Sequence, residues 1–158
     1  MMSAMSDLNR RDFGLALAGF AALASLAEAQ GTGDVLSSSK LYRYDDLPVH
    51  KGTTGVESRA VLHGTLPTGE VVEVHETMLP PGQAPHPPHR HRHSEMTMVR
   101  EGKLEFFNDG KTEVAGPGDV ILYASMVLHG IKNIGETNAK YFVIAIGPPE
   151  PAVMPVSK

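Results

Sequence analysis

The 158-residue chain contains no cysteine and no tryptophan. Without cysteine it can have no disulfide, no thiolate zinc site and no thiol nucleophile. Aromatic residues amount to 6%, so a core has to be assembled from Val, Ile, Leu, Met and Ala. Beyond residue 27 there is no long apolar run and no convincing helical periodicity, which leaves no candidate for a helix-turn-helix DNA reader. Positive charge is not gathered into a patch. Arg90, Arg92 and Arg100 are interleaved with histidines, and the formal net charge is −4. Nucleic acid is therefore not an expected partner. No fixed-period repeat is present.

What the chain does have is turn chemistry. Sixteen Gly and 12 Pro punctuate short apolar runs, a composition that favours strands and tight turns over helices. The hydrophobic fraction of 41% suffices for one packed core, and the length fits one domain.

Residues 1–29 read as an address. Asn9-Arg10-Arg11-Asp12-Phe13 precedes an apolar run, residues 14–27, and Ala27-Glu28-Ala29 places small residues where a signal peptidase reads. The paired arginines followed by an aromatic resemble a twin-arginine export signal, with Asn9 standing where Ser or Thr is usual. The run is shorter than the roughly 20 apolar residues that span a bilayer. The expectation is an exported, periplasmic chain that starts near Gln30 and keeps no stable membrane association after cleavage.

Downstream, strand-like runs follow one another. Residues 41–44 suggest a short edge strand in an otherwise irregular segment, 30–58. Residues 59–66 and 70–78 flank the turn Pro67-Thr68-Gly69. The Pro-rich stretch 79–88 can be neither helix nor central strand. Residues 95–100 and 103–108 read as a hairpin pair across Glu101-Gly102. Asp109-Gly110 is a stronger hairpin signal, since both residues tolerate positive φ. Residues 111–115, 120–123, 130–134 and 139–146 complete the set, and a Pro-rich tail covers 148–158. So many short strands predict an all-β antiparallel barrel or sandwich over residues 59–147.

Seven of the eight histidines fall between His50 and His93, and His86, His89, His91 and His93 lie within eight residues. The cluster runs directly into a strand containing Glu95. In an extended chain alternate side chains share a face, so His89, His91, His93 and Glu95 would all point into one barrel. Imidazole and carboxylate together suit Mn, Fe, Co, Ni, Cu or Zn. The same phase puts Thr97 and Val99 inside, and Met96 and Met98 outside, as sheet-packing or interface residues. His50, His63 and His75 read as ordinary surface or sheet residues, and His86 as lining the mouth. No uncommitted acidic residue reads as facing into the barrel.

His89-x-His91-x-x-x-Glu95, followed after six residues by Gly102, resembles the first motif of the cupin superfamily, with Gly82 one residue outside the usual spacing. Gly118, His129 and Asn133 match the second motif in spacing, although Ala124 and Met126 replace its internal Pro and Gly. The resemblance covers roughly residues 70–146. It implies a small single-domain metal-binding cupin, a double-stranded β-helix or jelly-roll barrel. It implies one divalent transition metal, Fe or Mn favoured, on His89, His91, Glu95 and His129. Two octahedral positions would remain open for a small molecule. His93 is then a neighbour that orients a ligand, Asn133 is structural, and pairing of sheets in a homodimer is implied. The expected function is that of an exported metalloenzyme acting on a small molecule, with a dioxygenase-like oxidoreductase favoured. The alternatives are a decarboxylase, lyase or isomerase, a non-catalytic periplasmic small-molecule or metal-binding protein, and a metal-free cupin. The sequence assigns no catalytic residue.

Overall fold

The structure, a computed structural model, describes residues 34–148. The export-signal reading of 1–29 and the tail from residue 149 onward lie outside the described residues. Nine strands follow in order: β1 (Val49–Lys51), β2 (Glu57–Thr65), β3 (Val71–Leu79), β4 (Ser94–Glu101), β5 (Leu104–Asn108), β6 (Lys111–Ala115), β7 (Val120–Tyr123), β8 (His129–Asn133) and β9 (Ala139–Gly147). No α-helix occurs among the described residues, and a 3₁₀ turn covers Tyr44–Asp46. None of their helices could cross a membrane.

The strands form two antiparallel sheets, ordered β1-β2-β3-β9-β4-β7 and β6-β5-β8. Alternation decides which side chains meet between them. Leu79, Val99, Ile121, Tyr123, Tyr141 and Val143 of the large sheet join Leu104, Ala115 and Ile131 of the small one in a single buried cluster. Thr97 and Val99 are buried as their phase requires, and Met98 is exposed. The outer face of β4 and β7 carries Met98, Val120 and Leu122 into solvent. The outer face of β2 and β3 is partly covered instead. Residues 34–36 run beside the end of β2, where a Cβ at Gly64 would come within 2.5 Å of the Asp34 carbonyl oxygen.

Two local expectations need correction. Residues 41–44 do not form an edge strand. Tyr44 instead enters the 3₁₀ turn, and its ring stacks under the guanidinium groups of Arg59 and Arg100. Both arginines also pair with Glu76, a buried carboxylate on the outer face of β3. Charge and cation–π contacts thus fix this segment in place of a sheet ladder. The second correction concerns Glu101-Gly102, which does not close a hairpin: β4 pairs with β7 and β9, and β5 with β6 and β8. The turn carries the chain from one sheet to the other. Gly102 sits at φ 85°, and a Cβ there would meet Ala139 Cα at 2.6 Å. Asp109-Gly110 does make the β5–β6 hairpin, with φ of 44° and 89°.

Candidate metal centre

Three segments deliver the imidazoles. His89 follows Pro87-Pro88 and lies outside any strand; its N–H donates to the His129 carbonyl at 2.9 Å, and the His129 N–H returns the bond at 3.0 Å. Pro88 rests on the bare face of Gly130, where a Cβ would meet its Cγ at 3.2 Å. His91 is fastened by its carbonyl, which accepts the Met126 N–H at 2.8 Å. His129 opens β8 and is 3% exposed. Glu95 is the second residue of β4. The expected convergence of His89, His91, His93 and Glu95 therefore does not arise from one continuous strand. β4 begins only at Ser94, and a bridge to β8 and a loop contact place His89 and His91.

The geometry is that of a closed group. Ligand-capable atoms of His89, His91 and His129 lie within 4.8 Å of one another, and those of His91, His93 and Glu95 do likewise. Ring centroids are 5.0 Å apart for His89 and His91, and 4.7 Å for each of these rings to His129. Glu95 Oε1 is 3.1 Å from His91 Nε2, and Oε2 is 3.7 Å from His129 Nε2.

Backbone carbonyls set two tautomers. His91 Nδ1–H donates to the His93 carbonyl at 2.9 Å, and His129 Nδ1–H to the Val127 carbonyl at 3.0 Å. In the neutral rings each Nε2 then carries a lone pair. Both Nε2 atoms are buried and make no hydrogen bond of good geometry. Lone pairs aimed toward an ionised carboxylate in a buried place repel one another unless a cation lies between them. The residues present therefore fit a divalent metal, and the hydrogen bond from the far nitrogen is the arrangement that orients metal-binding histidines.

Electrostatics agree. Burial would raise the Glu95 carboxyl, but His129, His91 and His93 outweigh it and hold it far below the ordinary range. His89 is pushed down to about 4 by burial and by the neighbouring His86, His129 and His91. His91 also feels burial, yet the Glu95 carboxylate raises it.

The remaining singled-out residues find distinct places. His93 Nε2 lies 3.1 Å from Glu95 Oε1, and its ring stacks on His91 at 3.6 Å and 9°. It thus braces both. His86 packs edge-on against His89 at 4.2 Å. Asn133 is fully buried, donating to the Leu79 and Thr137 carbonyls and accepting from the Gly135 N–H, so it pins the β8–β9 turn to β3. His50 lies exposed on β1.

Sequence reasoning missed two features. Tyr123 stacks on His129 at 4.5 Å, and burial raises its phenol, helped by the Glu95 charge, so it stays protonated. Its phase with Ile121 in β7 was the available signal. Glu73 is the second. It pairs with Ala145 in register on the inner face, contrary to the expectation that no uncommitted acid faces inward, and His75 and His63 share that face. Alternation with Thr77 and Leu79 was the signal there.

Comparison with known proteins agrees with this architecture. The family model described as a cupin domain matches residues 75–145. No curated protein matches the chain. Among solved structures, an RmlC-like cupin from Shewanella frigidimarina is 19% identical with a TM-score of 0.59, covering 72% of this chain and 95% of its own. A predicted oxalate decarboxylase from Thermotoga maritima is 21% identical at 0.56, covering 68% and 98%. A cupin-superfamily sugar phosphate isomerase from Silicibacter pomeroyi is 19% identical at 0.58, covering 70% and 77%. At these identities the likeness concerns the fold.

Proposed function

From the premise that this chain belongs to the cupin superfamily, we propose that His89, His91, Glu95 and His129 hold one divalent transition metal, Fe or Mn favoured, and that the loaded site oxidises a small molecule in a dioxygenase-like reaction. The observation that carries this reading is the convergence of the buried His91 and His129 Nε2 atoms on the Glu95 carboxylate.

When bound, the metal would supply Lewis acidity toward substrate oxygens and, for Fe or Mn, one-electron chemistry. The chain's own residues do the rest. Glu95 arrives already ionised, and the His93 and Val127 carbonyls keep His91 and His129 in the ligating tautomer. Tyr123, protonated beside His129, offers a fixed O–H donor. Thr97, Val99, Ile121 and Val143 wall the inner face and exclude water.

The test is oxygen uptake by Fe- or Mn-loaded protein over a panel of small acids, phenols and diols. Uptake coupled to substrate loss supports the reading. Carbon dioxide release or isomerisation without oxygen uptake replaces it with the decarboxylase or isomerase reading, which the names of two similar structures suggest. Tight binding with no turnover replaces the enzyme reading with that of a small-molecule-binding protein. Export is part of the proposal, resting on Arg10-Arg11 and Ala27-Glu28-Ala29. Sequencing the N-terminus of the periplasmic form checks it, with a start near Gln30 expected. A homodimer through the exposed Met98, Val120 and Leu122 face is proposed as well, and light scattering decides it.

A further inference from the structure

The large sheet carries a polar row across its inner face. Residues paired in register share a face, and the ladders link His63 to Glu73, Glu73 to Ala145, Ala145 to Glu95 and Glu95 to Tyr123. Glu73 and the candidate ligand Glu95 thus stand two strand spacings apart, about 9–10 Å between backbones. Ala145 is the residue between them in the ladder. Two residues along β3 from Glu73, on the same side, His75 Nδ1 lies 3.1 Å from Glu73 Oε1.

This pair is unlike the carboxylates around it. Glu76 is sealed on the outer face by Arg59 and Arg100, and Glu95 is taken up by three imidazoles. Glu73 keeps 45% of its side chain in contact with solvent. The hydrogen bond from His75, strengthened by the charges of His75, His63 and His93, outweighs burial and holds its carboxyl below the ordinary range. Glu73 is thus an ionised acceptor, oriented by His75 and partly exposed to solvent, one small residue along the ladder from the candidate ligand Glu95.

We propose that Glu73, positioned by His75, is the specificity residue for the end of the substrate that faces away from the metal. It selects small organic acids or phenols that carry a second hydrogen-bond donor, a hydroxyl or ammonium, one ring-width from the oxygen held at the centre. The inference rests on the metal-site reading for where the first oxygen binds. Ala145, the small residue between the two carboxylates in the ladder, is where the ring would lie. His75 acts through Glu73, by holding one carboxylate oxygen and so limiting the orientations the group can take.

The experiment uses the full chain loaded with cobalt(II), whose visible absorption reports a ligand at the metal, and two probes, benzoate and 4-hydroxybenzoate. A charge-assisted hydrogen bond predicts about tenfold tighter binding of the hydroxylated probe by the wild type. Glu73→Ala should bring the ratio close to one, with cobalt content and benzoate affinity unchanged. His75→Gln should reduce the ratio without abolishing it. If Glu73→Ala fails to fold, Glu73→Gln decides, since it keeps the shape and removes the charge, and should lose most of the preference. Equal affinities in the wild type, or a preference that survives these substitutions, overturns the proposal while leaving the metal site intact. A chain that takes up no cobalt overturns the metal reading, and this inference with it.

Discussion

At the scale of single residues, Met126 shows how the centre is held. It adopts φ 64°, a left-handed conformation that costs a non-glycine residue roughly 1–2 kcal/mol, at the position where the cupin motif has glycine. From that conformation its N–H reaches the His91 carbonyl, while the neighbouring Val127 carbonyl accepts from His129. One turn therefore orients two imidazoles. The glycine is gone but its backbone conformation persists, because the bond to His91 and the bonds of Ser125 to Ser94 and Arg92 over-determine the loop. Substituting a β-branched residue, Met126→Val, should cost about 1–2 kcal/mol in urea unfolding and weaken metal binding. Met126→Gly should preserve binding. Equal stability of the Val variant and the wild type would show that the strain is absent.

At the scale of elements, glycine plays two different parts. Gly110 needs its positive φ but has open space around it, whereas Gly102 needs both its φ of 85° and the absence of a side chain against Ala139. Gly110→Ala should then cost about 1–2 kcal/mol, and Gly102→Ala should cost more, about 2–4 kcal/mol, because overpacking adds to the backbone term. Urea midpoints of the two variants check the order. The same contrast explains what the sequence could reveal. Apart from β1, which falls in the segment expected to be irregular, strand positions were legible to within a residue or two, since Val-rich alternation and turn residues are local; β6 and β7 coincide with their expected ranges. Pairing was not legible at Glu101-Gly102, because a hairpin and a crossing between sheets both demand a positive-φ glycine, and only the burial of Leu104 between the sheets distinguishes them. At the site, His89, His91 and Glu95 were readable from motif and phase together, and His129 from motif spacing alone. Phase was the wrong physical reason for His89 and His91, which a bridge to β8 and the Met126 contact hold. Glu73 escapes a sequence reading, and His75 reads as no more than an ordinary surface or sheet residue, because a Val-dense strand reads as buried whatever its polar positions do.

At the scale of the whole molecule, metal, protons and stability are linked. Burial and neighbouring imidazoles have already lowered His89 to about 4, and Glu95 is ionised throughout the usual range. His91, raised by Glu95, is the candidate ligand that would have to surrender a proton. Binding should therefore release about one proton per ion near neutral pH, and apparent affinity should rise with pH through the His91 titration and level off above it. Calorimetry in buffers of different ionisation enthalpy reads this directly. For the metal-free protein the two imidazoles act oppositely. His91, raised on folding, adds stability at pH values below its unfolded value, which is lost as pH rises through the folded one. His89, depressed on folding, makes stability fall as pH drops from 6.5 toward about 4. A metal present at a hundred times its dissociation constant should add about 2.7 kcal/mol, visible as a rise in Tm.

The most direct measurement is the elemental content of the purified, folded wild type beside His89→Ala, Glu95→Ala and His93→Ala. The four-residue centre predicts close to one transition-metal ion per chain in the wild type, loss of most of it in the His89 and Glu95 variants, and retention in the His93 variant. A metal-free wild type, or full occupancy in both the His89 and Glu95 variants, would contradict it.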